Sequence, residues 1–252
     1  MDFTVKEYKK LLLALKDQSY TFQTFNEFIN NPNERSIVLR HDVDLLPYNS
    51  LAFAKIQAKE GVRGVYYFRA VPESWNEKII KEIAQLGHEI GYHYENLTTC
   101  KGDLEKGIQD FKKNLEALRE LSSVSTICMH GSPMSKFDSK DLWKENDYRD
   151  FDIIGEPYFD VDFKEVFYLT DTGRKWDGNK VSVRDRVNSS FNLSFHSTQN
   201  IIDALNQNEL PDKIMFTFHP QRWNDNLMMW SKELVFQNTK NIVKRLFYVK
   251  PG

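Results

Sequence analysis

Apolar residues recur along the chain with two alternating periods. Val5, Tyr8, Leu11, Leu12 and Leu15 stand three or four apart, which predicts an amphipathic helix over residues 4–16. Phe22, Phe25, Phe28 and Ile29 continue the helical spacing into a second short helix, stopped by Asn30-Asn31-Pro32. Ser36-Ile37-Val38-Leu39 then changes to the short aliphatic run of a buried strand. From there strands and helices alternate. Strands are predicted over 64–69, 88–93 and 125–130, and helices over 49–60, 74–86 and 101–121, with Gly61 and Gly87 as C-terminal stops. The pattern loosens over 151–195 into strand-like pieces at 166–170 and 191–195, separated by the polar loop 171–178. A helix over 201–207, a strong strand at 213–218 and a helix over 234–246 complete the chain. Such alternation predicts an α/β fold, a parallel sheet or barrel of βα units in a single domain spanning 1–252. Residues 1–35 form a helical extension packed on it.

Composition narrows the classes. The chain has 252 residues, 40% hydrophobic and 28% charged, enough for one large core. A net charge of −2 makes no electrostatic case for nucleic acid or for an acidic membrane surface. No apolar run approaches the ~20 residues of a membrane span, and the start lacks the basic and apolar regions of a secretory signal. Cys100 and Cys128 have neither disulfide-framework nor Cys-x-x-Cys spacing. A cytoplasmic protein is the expectation.

The candidate chemistry lies at the C-terminal ends of the strands. The strand at 36–39 breaks into Arg40-His41-Asp42-Val43-Asp44, charged groups that are costly to bury unless paired or bound to a metal. Asp42 and Asp44 are two apart and share a face while the strand persists. They repel one another unless a cation lies between them. His93, His130 and His219 close three other predicted strands. One histidine there is commonly structural, whereas four strand ends carrying imidazole or carboxylate predict a metal-dependent site. These are the ligands of catalytic zinc, so a divalent ion, zinc foremost, is the expected cofactor.

On these residues the chain resembles the polysaccharide deacetylases of carbohydrate esterase family 4, in a divergent branch. Gly87-His88-Glu89-Ile90-Gly91-Tyr92-His93 is similar to that family's second motif, with Leu97 standing where a further His is usual. Arg40-His41-Asp42-Val43-Asp44 occupies the place of its first motif, whose paired Asp residues serve as general base and metal ligand; here Val43 separates them. Thr217-Phe218-His219-Pro220 resembles the last motif, whose His is the general acid. The resemblance covers roughly residues 36–220 and implies a distorted (β/α) barrel with fewer than eight repeats. It implies Asp44, His93 and His130 as metal ligands, Asp42 as base and His219 as acid, with Asp42 and Asp44 interchangeable. His130 takes the place lost at Leu97, ahead of Glu95, Asn96 and, more remotely, His196.

Arg40, Asp171, Arg174 and Trp176 are expected to bind substrate, because sugar faces stack on indoles and hydroxyls need polar partners. For each the plain alternative is an ion pair or a packing anchor, and His88 is expected to make a structural hydrogen bond. The function implied is removal of an N-acyl group from an amino sugar or a sugar-containing precursor. Two alternatives are a metal-dependent amidohydrolase of a small amide or ureide, and a non-catalytic carbohydrate-binding protein on a degenerate barrel. The partner is a small molecule or glycan, with no nucleic acid and no membrane span.

Overall fold

The computed structural model describes residues 1–132, 135–176 and 187–247. Among the described residues seven strands form one all-parallel sheet: β1 (Thr21–Gln23), β2 (Ser36–Val43), β3 (Val65–Phe68), β4 (Glu89–Tyr94), β5 (Ile127–Met129), β6 (Phe167–Thr170) and β7 (Lys213–Phe218). Their order is β5-β4-β3-β2-β7-β6, and β1 pairs with the first half of β2. The helices are α1 (Val5–Asp17), α2 (Phe25–Asn30), α3 (Pro47–Lys59), α4 (Glu77–Gln85), α5 (Asn96–Thr99), α6 (Leu104–Arg119), α7 (Pro157–Asp160), α8 (Thr198–Asn206) and α9 (Leu227–Phe247).

Strand alternation decides what faces where. Ile37, Leu39, His41 and Val43 point to the helical layer, where Ile37, Leu39 and Val43 join the larger apolar cluster with Phe53, Tyr66 and Phe216. Val38 joins Val65, Tyr67, Cys128 and Met215 in a second cluster on the other side of the sheet. Arg40 and Asp42 share that side. In a flat sheet β5 and β7 would lie about 19 Å apart, four strand spacings. Yet His130, after β5, and His219, after β7, bring their Nε2 atoms within 3.5 and 3.9 Å of the same carboxylate, Asp44. The sheet therefore curls into the incomplete (β/α) barrel with fewer than eight repeats, and no ladder joins β5 to β6 among the described residues.

Several elements differ from expectation, among them α9, which begins at Leu227 and not at 234. Residues 21–23 form β1, not the start of a helix, because they ladder onto Ser36–Val38. Helix α2 begins only where Thr24 and Glu27 close a capping box. The helix expected from 101 starts at 104, since Lys101 and Gly102 have φ of 54° and 87° and Asp103 caps α6 by accepting from the Lys106 N–H. Residues 191–195 are not a strand. Among the described residues they pair with no strand, a condition local propensity does not register. The expected loop residues Asp177 and Gly178, and Pro133 after the fourth strand, lie outside the described residues.

Candidate active site

Five side chains converge at the C-terminal ends of β2, β4, β5 and β7. Asp42 stands one residue before the end of β2 on the concave side, and Asp44 follows it two residues later. His93 projects from β4. Beneath it Gly91 is obligatory, because a Cβ there would stand 2.3 Å from the Tyr67 ring. His93 Nε2 lies 3.6 Å from Asp44 Oδ1 and 3.7 Å from Asp42 Oδ2. His130 Nε2 lies 3.5 Å from the same Asp44 Oδ1. Ligands about 2.0–2.1 Å from a tetrahedral zinc stand ~3.4 Å from one another, so these separations fit an ion held by Asp44, His93 and His130. Asp44 Oδ1 is buried and accepts no hydrogen bond. A buried carboxylate oxygen without a partner is costly, and a cation at that point would remove the cost.

The far nitrogens of both imidazoles are engaged. His93 Nδ1 stands 2.9 Å from the Cys128 carbonyl oxygen, and a carbonyl can only accept, so the proton is on Nδ1 and Nε2 faces the site as a lone pair. His130 Nδ1 lies 2.9 Å from Glu95 Oε2, which sets the same tautomer. Burial works to raise the Glu95 carboxyl, but His130 and Arg69 outweigh it and hold it at about 2. Burial likewise works to raise Asp44, and the surrounding imidazoles hold it well below the usual carboxylate range. Burial pushes His93 down, while Asp42 and Asp44 prevail and push it up. The two carboxylates thus call for positive charge at the point a divalent ion would occupy.

On the opposite flank, His219 Nδ1 lies 2.6 Å from Asp171 Oδ1, and its Nε2 is 4.0 Å from Asp42 Oδ2 and 3.9 Å from Asp44 Oδ2. Asp171 also accepts from the His219 backbone N–H (2.9 Å), Arg222 Nη1 (3.0 Å) and Trp223 Nε1 (2.6 Å). Burial works to raise Asp171, and His219 and Arg222 reverse that to hold it down. Asp42 accepts from Arg40 Nε at 2.8 Å and Nη2 at 2.6 Å, a buried bidentate pair that fixes the carboxylate.

The expected substrate residues are placed differently. Arg40 is spent on Asp42 and donates to Tyr158 Oη. Asp171 is fully buried as the partner of His219. Arg174 sits between the rings of Phe3 and Trp230 and donates to the Trp230 carbonyl. Trp176 packs among Phe3, Phe216, Phe218 and Trp223 and donates to Thr198. The loop is held inward because its large groups find core partners, which spacing along the chain does not reveal. Leu97, buried in α5, lies beside Leu142 over Gly107. His88 makes its structural bonds, accepting from the Gly64 N–H and donating to the Ala54 carbonyl. His41 stacks on Tyr66 in the helical layer, and burial pushes it down to about 3. His196 is exposed. Arg69, Ser132, Gln221 and Arg222 also serve the site, bonding Glu95, Glu95, Asp44 and Asp171 respectively. In the sequence, only Gln221 and Arg222 among them carry a signal, directly following His219-Pro220.

No protein-family model matches the chain, and a search of curated proteins returns no match. Among solved structures, it is similar to a family 4 carbohydrate esterase from Streptococcus mutans (14% identity, 89% of this chain and 87% of that one, TM-score 0.45). It is also similar to one from Streptomyces lividans in complex with acetate (12%, 82% and 90%, 0.43) and to a pseudoenzyme of the same family from Bacillus anthracis (14%, 86% and 63%, 0.43).

Proposed function

We propose that the protein is a metal-dependent hydrolase that removes an N-acyl group, acetyl foremost, from an amino sugar or a sugar-containing precursor. One observation carries this: Asp44, His93 and His130 converge on a single point that Asp42 and His219 flank. Asp44, His93 and His130 would hold the ion, with zinc suited to one carboxylate and two neutral imidazoles. A bound ion supplies Lewis-acid polarisation of the amide carbonyl and an acidified water. Asp42, aimed by Arg40, takes the proton from the attacking water. His219 delivers a proton to the departing amine from Nε2, while Asp171 holds its Nδ1–H and steadies the imidazolium. Amide cleavage requires that proton, because an amide anion is a very poor leaving group. Cys100 and Cys128 are not joined in a disulfide, which suits a reducing, cytoplasmic setting.

The test pairs metal analysis of purified protein with acetate release from N-acetylglucosamine and its short oligomers. About one zinc per chain and metal-dependent release are expected. Protein that neither contains nor takes up a divalent ion ends the proposal.

A further inference from the structure

Among the described residues four donors reach the buried Asp171 carboxylate, and they divide its two oxygens evenly. Oδ1 accepts from His219 Nδ1 and Arg222 Nη1, and Oδ2 accepts from the His219 backbone N–H and the Trp223 indole N–H. Two of the four come from His219 itself. Arg222 is held by Asp171 in return, its Nη1 donating also to the Asp171 carbonyl. Trp223 differs, because it is fixed from elsewhere. Its ring is 0% exposed and meets Phe3 edge-on at 5.1 Å, with Tyr8 and Phe218 at 5.9 Å and Phe53 at 6.0 Å. Its carbonyl accepts from Asn49 Nδ2 in α3, and the next residue, Asn224, donates its N–H to the Phe3 carbonyl at 3.1 Å.

A buried indole needs an acceptor for its N–H and a buried carboxylate needs donors, so the 2.6 Å bond satisfies both groups. Its geometry does more. An indole N–H lies in the ring plane and cannot rotate as a hydroxyl or an ammonium does. With the ring clamped by its aromatic neighbours, Oδ2 is pinned. A carboxylate pinned at one oxygen cannot turn about its Cβ–Cγ bond and carry Oδ1 away from His219 Nδ1. The imidazole then keeps its Nε2 at 4.0 Å from Asp42 and 3.9 Å from Asp44. Being wholly buried, Trp223 touches no substrate and acts only through Asp171.

We infer that Trp223 is a positioning residue for the acid: through Asp171 it holds the His219 imidazole at the angle from which Nε2 delivers its proton to the departing amine. The purpose of this bond rests on the hydrolase reading. Phe3 belongs to the same support, since its ring packs on Trp223 and its carbonyl holds the backbone that follows. Residue 3 thus braces an acid at residue 219.

Trp223→Phe keeps the ring and removes the N–H, whereas Phe3→Ala keeps the N–H and loosens the ring. The zinc-loaded full chain is assayed on N-acetylglucosamine oligomers and on an activated acetate ester. Trp223→Phe is expected to lower kcat on the amide by about tenfold or more, with KM and zinc content unchanged and a markedly smaller loss on the ester, whose leaving group needs no proton. Phe3→Ala should show the same amide-selective loss at smaller size, and it decides the matter if Trp223→Phe does not fold. A second measurement needs neither substrate nor metal. In 15N-labelled, chelator-treated protein the His219 Nδ1 proton, in its 2.6 Å bond to Asp171, should resonate far downfield and should shift or broaden in either variant. Equal losses on amide and ester, a loss carried by KM, or a His219 proton unmoved in the variants would overturn the inference. A wild type that binds no ion and releases no acetate would end the hydrolase reading instead, and the proton resonance would still decide whether Trp223 holds Asp171 against His219.

Discussion

The site contains two nearly matched relays on either side of Asp44. On one side Arg69 holds Glu95 at 2.7 Å and Glu95 holds His130 at 2.9 Å; on the other Arg222 holds Asp171 at 3.0 Å and Asp171 holds His219 at 2.6 Å. Each ends on an Nε2 directed at Asp44, so side-chain chemistry alone does not assign their roles. On the proposed reading, the two oxygens of Asp44 tell them apart. Oδ1 has no hydrogen-bond donor and stands 3.5–3.6 Å from His130 and His93. Oδ2 accepts from Gln221 at 3.1 Å and lies 3.9 Å from His219. A ligand set and an acid can thus share one carboxylate, because one oxygen is left for a cation and the other is occupied by a donor.

Removing a ligand should break this asymmetry most severely. His93→Ala and His130→Ala are each expected to weaken metal binding by more than ~100-fold and to abolish amide hydrolysis, as read by metal analysis and acetate release. If His130→Ala keeps its metal, His130 belongs with His219 as a proton-handling group. Next in size, His219→Ala should retain the metal and lower turnover by roughly a hundredfold to ten-thousandfold. The loss should shrink on an activated acetate ester, whose leaving group departs without a proton. Equal losses on amide and ester, or loss of the metal, would remove His219 from the role of acid.

Glu95→Gln sharpens the contrast further, with metal affinity expected to fall about 10–100-fold as His130 loses its anchor. It should also alter acid stability in chelator-treated protein. The Glu95 carboxyl is held at about 2 against an ordinary 4.5, so the folded state binds fewer protons than the unfolded state between those values. Its contribution is present above pH 4.5 and is lost as pH falls toward 2, up to about 3 kcal/mol. Melts of the variant should therefore depend less on pH across that window, and an unchanged slope would show that the pairing adds no stability. The smallest effect is expected of Leu97→His. Leu97 faces Leu142 and Gly107 in the core, so metal content should not change; a rise would mean that α5 can turn toward the site.

Much of the architecture was legible because buried parallel strands and their covering helices have distinct periods. Alternation within β2 even separates His41, turned to the helical layer, from Arg40 and Asp42 on the concave side. Asp44, His93, His130 and His219 stood out because polar groups ending apolar strands need a reason to be there. Local patterning could not supply β1, whose three residues are a strand only because β2 lies beside them. Nor could it show that the 171–176 loop turns inward, since its preference for Phe3, Trp223 and Trp230 depends on segments 50 to 170 residues away. By itself the sequence determined the strand–helix alternation and the residue types at each strand end, which follow from burial and backbone geometry. Only the tertiary structure decided which imidazole faces which oxygen of Asp44 and that Asp171 serves His219, because each depends on how far the sheet curls and on what the curl brings within hydrogen-bonding distance.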